Sequence, residues 1–222
     1  MIFFVKNSLR TKICGITRTE DIDCALQLGA DYIGLIHYQK SPRYVNEAKL
    51  KELMFQIPTG KRVYVDVCPS PENLQRISTL GFDYYQIHFN IGTKFQLLKN
   101  WSLTVKPHQL WLAPRIPGEE PFPKQLLTLA NTIVLDTYHQ NIFGGSGETG
   151  DWDTFCSIRE DYPQTQFILA GGLKVKNIEN AITHSGADFI DINSGIEKSP
   201  GIKDHQKMKE LFTIISRFRN PH

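Results

Sequence analysis

One pattern of apolar and polar positions occurs three times along the chain. In "LGADYIG" at Gly29, "LGFDYYQ" at Gly81 and "SGADFID" at Gly186, a glycine closes an amphipathic segment and an aromatic or β-branched run follows at once. Glycine suits the left-handed residue that ends a helix, so each stretch predicts a helix running into a strand. Apolar runs of strand length recur at "TKICGI", "YIGLIH", "RVYVDV", "YYQIHF", "LWLAPRI", "TIVLDT", "QFILAGG" and "DFIDINSG", eight in all. Helical segments fall between them. "NEAKLKELMFQI" opens on Asn46 as a cap, "PENLQRISTLG" starts with Pro71 in a first turn, and "DHQKMKELFTIISRF" closes the chain.

Most of the strands are near-continuous apolar runs, as parallel strands covered on both faces are. An open doubly wound sheet would alternate in the same way. No G-x-G-x-x-G follows the first strand, however, and eight similar units favour closure. The expected fold is α/β, a single-domain (β/α)8 TIM barrel over residues 1–222, with residues 1–10 a short lead-in. A length of 222 residues is within the range such barrels occupy as one domain.

Composition narrows the function classes. Hydrophobic residues make up 41% and charged residues 22%, which is ordinary globular usage. The 25 Lys and Arg against 23 Asp and Glu are scattered without a basic stripe, so no nucleic-acid partner is expected. The opening "MIFFV" is short and has no basic region before it, which fits neither a signal peptide nor a membrane anchor; the expectation is a cytoplasmic protein with no membrane partner. Cys14, Cys24, Cys68 and Cys156 contain no C-x-x-C pair, so reduced thiols suit them better than disulfides or a zinc cage.

In a (β/α)8 barrel the chemistry belongs to the C-terminal strand ends and the loops after them. Those ends hold Cys14, His37, Asp66, Cys68, His88, Arg115, Asp136, Gly171, Gly172 and Asp191 through Gly195, and the loop "YQKSPRYV" adds Arg43. "YHQNIFGGSGETGDW", long and glycine-rich, reads as a mobile lid. "AGGL" and "NSGIE" end the last two strands with small residues whose N–H groups could surround an anion, although the same glycines could simply make tight turns. Cys14 is either an inert core thiol or a reactive one. Asp136, after the apolar "IVL", is either a hydrogen-bonded cap or a catalytic carboxylate. His37 and His88 have no second ligand at metal spacing and suit packing or substrate contact. Arg43 is either a solvated charge or a clamp for a carboxylate.

Eight motifs in order, "KICGIT", "GADYIGLI", "SPRYV", "QIH", "VLDT", "GGSGETGDW", "AGGL" and "SGIEKSPGIKD", resemble the phosphoribosylanthranilate isomerase family of tryptophan biosynthesis from about residue 12 to residue 207. The resemblance implies an Amadori rearrangement with a small-molecule substrate, phosphoribosylanthranilate, no cofactor and no metal; a monomer or homodimer is expected. It places the general base on Cys14 and the general acid on Asp136. It gives the anthranilate carboxylate to Arg43, a position near the sugar to His88, and the phosphate to Gly171, Gly172, Ser194 and Gly195. The chemistry then wants thiolate at Cys14, helped by nearby cations, and a proton on Asp136, helped by desolvation under the lid.

The chain departs from the family pattern in four places. Phe89 follows "QIH" where glycine is usual, so its ring could narrow the mouth or redirect that loop. Glu148 stands where lysine is common, Asn193 replaces a serine of the phosphate loop, and "LWLAPRI" lacks the usual lysine-containing end but offers Arg115. Two kinds of rival follow: another phosphosugar barrel enzyme, which would need metal-binding histidines or catalytic lysine and glutamate residues, and a catalytically silent phosphate-binding barrel.

Overall fold

The structure, a computed structural model, describes residues 9–117, 120–136 and 151–219. Eight parallel strands form a closed barrel in chain order: β1 (Arg10–Ile13), β2 (Tyr32–Ile36), β3 (Arg62–Val67), β4 (Tyr84–Asn90), β5 (Leu110–Arg115), β6 (Thr132–Asp136), β7 (Gln166–Ala170) and β8 (Phe189–Ile192). Closure is made by β8 pairing back onto β1, from Arg10 opposite Phe189 to Ile13 opposite Ile192. The first strand begins at Arg10, the last residue of the expected lead-in.

Among the described residues, seven helices surround the strands: α1 (Thr19–Gln27), α2 (Glu47–Met54), α3 (Pro71–Ser78), α4 (Phe95–Val105), α5 (Trp152–Asp161), α6 (Ile178–Ser185) and α7 (His205–Arg219). Local chemistry sets their ends. Asn46 Oδ1 accepts from Lys49 N at 2.9 Å ahead of α2, and Ser70 Oγ accepts from Asn73 N at 3.2 Å ahead of Pro71 in α3. Gly29, Gly81 and Gly186 all have positive φ at the helix-to-strand turns, as the repeated pattern requires.

Among the described residues, the alternation of helix and strand is broken between β5 and β6 and again after β8. Between β5 and β6 the chain makes a 3-10 turn, Lys124–Thr128, where an α-helix was expected. Pro117, Pro121 and Pro123 deny the segment the backbone donors and preceding α conformation that an α-helix start needs. After β8 a short hairpin, β9 (Glu197–Ser199) with β10 (Ile202–Lys203), precedes α7; sequence reading did not foresee it.

Strand residues of one parity point into the barrel and those of the other meet the helices. Outward residues such as Ile13, Ile33, Leu35, Ile87, Leu112, Ile133 and Leu169 pack into the main core with the apolar helix faces. Inside, Tyr32, Tyr84, Trp111 and Phe189 fill the N-terminal end; Tyr84 stacks on Trp111 with centroids 4.8 Å apart, and Tyr32 stacks on Phe189 at 5.1 Å. This aromatic floor leaves the polar inward residues for the C-terminal end.

Candidate active site at the C-terminal mouth of the barrel

A cavity of about 620 Å³ opens at that end. Its walls include Cys14 after β1, Asp66 on β3, Gln86 and His88 on β4, Asp136 at the end of β6, and Asp191 on β8; Gly171, Gly172, Ser194 and Gly195 line it from the loops after β7 and β8. The two loops meet in a bridge between Lys174 and Gly195. A Cβ at residue 195 would overlap the Leu173 carbonyl oxygen, so only glycine lets them meet. Gly15, φ +70°, is constrained in the same way: a Cβ there would lie 2.6 Å from Asn193 Oδ1.

Cys14 is 4% exposed, and its N–H donates to Ile192 O at 2.8 Å, which fixes the strand end that carries the thiol. Burial pushes the thiol upward from its ordinary range. Lys12 opposes this in part, Asp191 adds to it, and Lys203 again opposes it. In the unliganded protein cations face the sulfur, but desolvation outweighs them.

Lys12 itself is fully buried and paired with Asp191, Nζ to Oδ2 at 2.7 Å. Burial works against its charge, yet Asp191 and Cys14 outweigh that and hold the ammonium above its ordinary range. On the far side Gln86 Nε2 donates to Asp191 Oδ2 at 3.4 Å and to His88 Nε2 at 2.9 Å. Facing a carboxylate fixes the Gln86 amide with its nitrogen towards both partners, and leaves the His88 proton on Nδ1. Burial, and then the Lys12 charge, push His88 down to about 4, so the imidazole is neutral at pH 7. The second oxygens, Gln86 Oε1 and Asp191 Oδ1, are buried acceptors with no donor among the described residues.

A second charged group flanks the thiol. Glu197 accepts from Arg43 at both Nε (2.9 and 3.1 Å) and Nη2 (2.6 Å), and from Lys203 Nζ at 3.0 Å. Lys203 also donates to Asn193 Oδ1 at 2.9 Å. Burial alone would lift Glu197, but Arg43 and Lys203 hold its carboxyl below the ordinary range. Arg43, on the loop after β2, is engaged by Glu197. Its planar fork grips a carboxylate of the protein, and Nη1 is the part of the guanidinium that Glu197 does not take.

Other sequence candidates scatter. His37 packs against Tyr44 and Tyr64 with Nδ1 2.8 Å from Val45 O, and Cys68 and Arg115 stand exposed at strand ends outside the cavity wall. Phe89 has outward parity, is 3% exposed and meets Trp101 edge-on at 5.8 Å, so its ring belongs under α4 and does not narrow the mouth. The expected lid, apart from Asp151 and Trp152, and Glu148 within it, lie outside the described residues. Sequence reading gave no role to Lys12, Gln86, Glu197 or Lys203. Two of them were legible by period: Lys12 and Gln86 each stand two residues before a chosen residue, on the same strand face.

A closed (β/α)8 barrel with its polar groups gathered at the C-terminal mouth defines a barrel of the enzyme type. The N-(5'-phosphoribosyl)anthranilate (PRA) isomerase family matches residues 11–213, and the chain belongs to that family. It is 31% identical over 217 residues to the N-(5'-phosphoribosyl)anthranilate isomerase of Gloeothece citriformis, covering 96% of each chain. Among solved structures, it is similar to phosphoribosyl anthranilate isomerase from Thermotoga maritima, with TM-score 0.76, 27% identity and coverage of 94% of this chain and 98% of that one. Another phosphoribosyl anthranilate isomerase structure, in complex with reduced 1-(o-carboxyphenylamino)-1-deoxyribulose 5-phosphate, aligns at TM-score 0.73 and 25% identity, covering 94% of this chain and 98% of that one.

Proposed function

We propose that the protein isomerises N-(5'-phosphoribosyl)anthranilate to 1-(2-carboxyphenylamino)-1-deoxyribulose 5-phosphate, with Cys14 as general base and Asp136 as general acid. The observation that carries this reading is one cavity walled by Cys14, Asp136, Gly171, Gly172, Ser194 and Gly195, in a chain of the isomerase family.

Asp136 gives its proton to the furanose ring oxygen as the C1′–O bond breaks and the nitrogen lone pair forms a Schiff base. Cys14 then takes the proton from C2′, and the electrons of that bond form the enolamine and neutralise the iminium. Protonation at C1′ and loss of the C2′ hydroxyl proton give the aminoketose. The backbone around Gly171, Gly172, Ser194 and Gly195 holds the phosphate. Neutral His88 and the free acceptors of Gln86 and Asp191 meet the sugar, and Arg43, through Nη1, meets the anthranilate carboxylate. The protein acts as a cytoplasmic monomer or homodimer; no described helix is long and apolar enough to cross a membrane.

The test is the fluorescence loss of freshly made phosphoribosylanthranilate on adding the protein, corrected for spontaneous hydrolysis, with the product identified by mass and chromatography. Protein-dependent formation of the aminoketose is expected. A folded protein that leaves the substrate to hydrolyse at its spontaneous rate contradicts the reading.

A further inference from the structure

Lys12 is a lysine at 0% exposure inside a barrel, and such a charge is costly unless something requires it. Its pair with Asp191 alone does not explain it, since apolar residues can replace buried ion pairs without loss of stability. What singles Lys12 out is its neighbour. Nζ and the Cys14 Sγ lie 3.1 and 2.9 Å from the point a Cβ of residue 34 would occupy, and Lys12 Cε lies 2.8 Å from it. Gly34 follows in register, since Lys12 pairs with Tyr32 and Ile13 with Ile33. The neighbouring strand is thus bare where ammonium and sulfur converge, and a methyl group would push one of them away.

Among the described residues, the charged groups facing Cys14 are Lys12 on its own strand, Asp191 on β8, Lys203 on β10 and Arg43 after β2. Lys203 and Arg43 share Glu197 between them. Lys12 shares Asp191, whose Oδ2 is also approached by Gln86. Among the described cations, only Lys12 is held by a carboxylate on the strand adjacent to Cys14, so its position relative to the sulfur is fixed by the barrel itself.

We propose that Lys12 is a positioning residue for the reaction: its ammonium, fixed by Asp191 and admitted by Gly34, is the built-in counter-charge for the negative charge on the Cys14 sulfur. This rests on Cys14 being the base in the proposed function. The substrate proton leaves C2′ only when the sulfur carries that charge, and Lys12 offsets part of the cost of holding it out of water.

The test reads the thiol directly, without turnover. In a protein with Cys24, Cys68 and Cys156 changed to Ser, the ultraviolet absorbance of the Cys14 thiolate is followed against pH and differenced against the same protein carrying Cys14→Ser. Lys12→Met is expected to move the titration upward by about 1 pH unit or more, as loss of an adjacent opposite charge does, with partial return in Lys12→Arg. The pH profile of kcat/KM should move in parallel. Because Lys12→Met leaves Asp191 unpaired and could unfold the barrel, the neutral pair Lys12→Met/Asp191→Asn is measured beside it. It should fold and still titrate above wild type, since Lys12 acts on the sulfur more strongly than Asp191 does. A Cys14 titration unchanged in the folded variants overturns the inference and makes Lys12 purely structural, even if wild type isomerises its substrate. A shifted titration in a protein with no isomerase activity upholds the charge coupling and removes the proposed reaction.

Discussion

His88 and Cys14 sit in the same cavity and burial drives both towards their neutral forms, one by lowering and the other by raising its titration. For His88 this has a consequence for stability. The folded protein binds its proton only near pH 4, whereas the unfolded chain binds it near the ordinary 6.5. Between those values the unfolded state carries more protons, so stability rises with pH there and is lost as pH falls from 6.5 towards 4. Urea midpoints at pH 7 and pH 5 check this. His88→Gln should narrow the difference between them, and an equal difference in wild type and variant would contradict the neutral, buried histidine. The same neutrality suits a group that meets a sugar: a charged imidazole beside Lys12 would be repelled from the place it occupies.

Among the elements, the helix-to-strand turn is the unit most completely written in the sequence. Gly186 ends α6 at φ 59° and ψ 19°, with its N–H donating to Ile182 O at 2.9 Å. The nearest obstacle to a side chain is Arg159 Nη1, 2.8 Å from a Cβ, and a guanidinium tip can move aside. The cost of Gly186→Val is therefore backbone strain, about 1 to 3 kcal/mol, read as a lowered thermal midpoint with activity retained. An unchanged midpoint would count against the cap. All eight strands were legible because parallel strands covered on both faces need long apolar runs. The 3-10 turn before β6 was less so, since "LLTLA" has helical composition and the prolines that forbid a full helix lie ahead of it. The β9–β10 hairpin was hidden for a different reason: strands of three and two residues are too short to show a period.

At the scale of the whole molecule, closure of the barrel is what turns separated sequence positions into one site. Cys14 and Asp136 come from the first and sixth strand ends, and the glycines from the last two loops. Topology placed these from sequence, because the strand ends of a barrel share one mouth. Side-chain pairing across the mouth was not legible. That Arg43 meets Glu197, or that Lys12 meets Asp191, depends on which long side chain reaches which carboxylate across the closed ring. Period reveals the face of a strand, not the partner opposite. The central claim, that Cys14 and Asp136 divide the proton transfers between them, is tested most directly by assaying Cys14→Ser and Asp136→Asn beside wild type for aminoketose formation, with folding checked by circular dichroism. The account predicts a loss of about 10²-fold to 10⁴-fold or more in kcat for each, with the fold intact. A folded variant of either kind that forms aminoketose at the wild-type rate would contradict it.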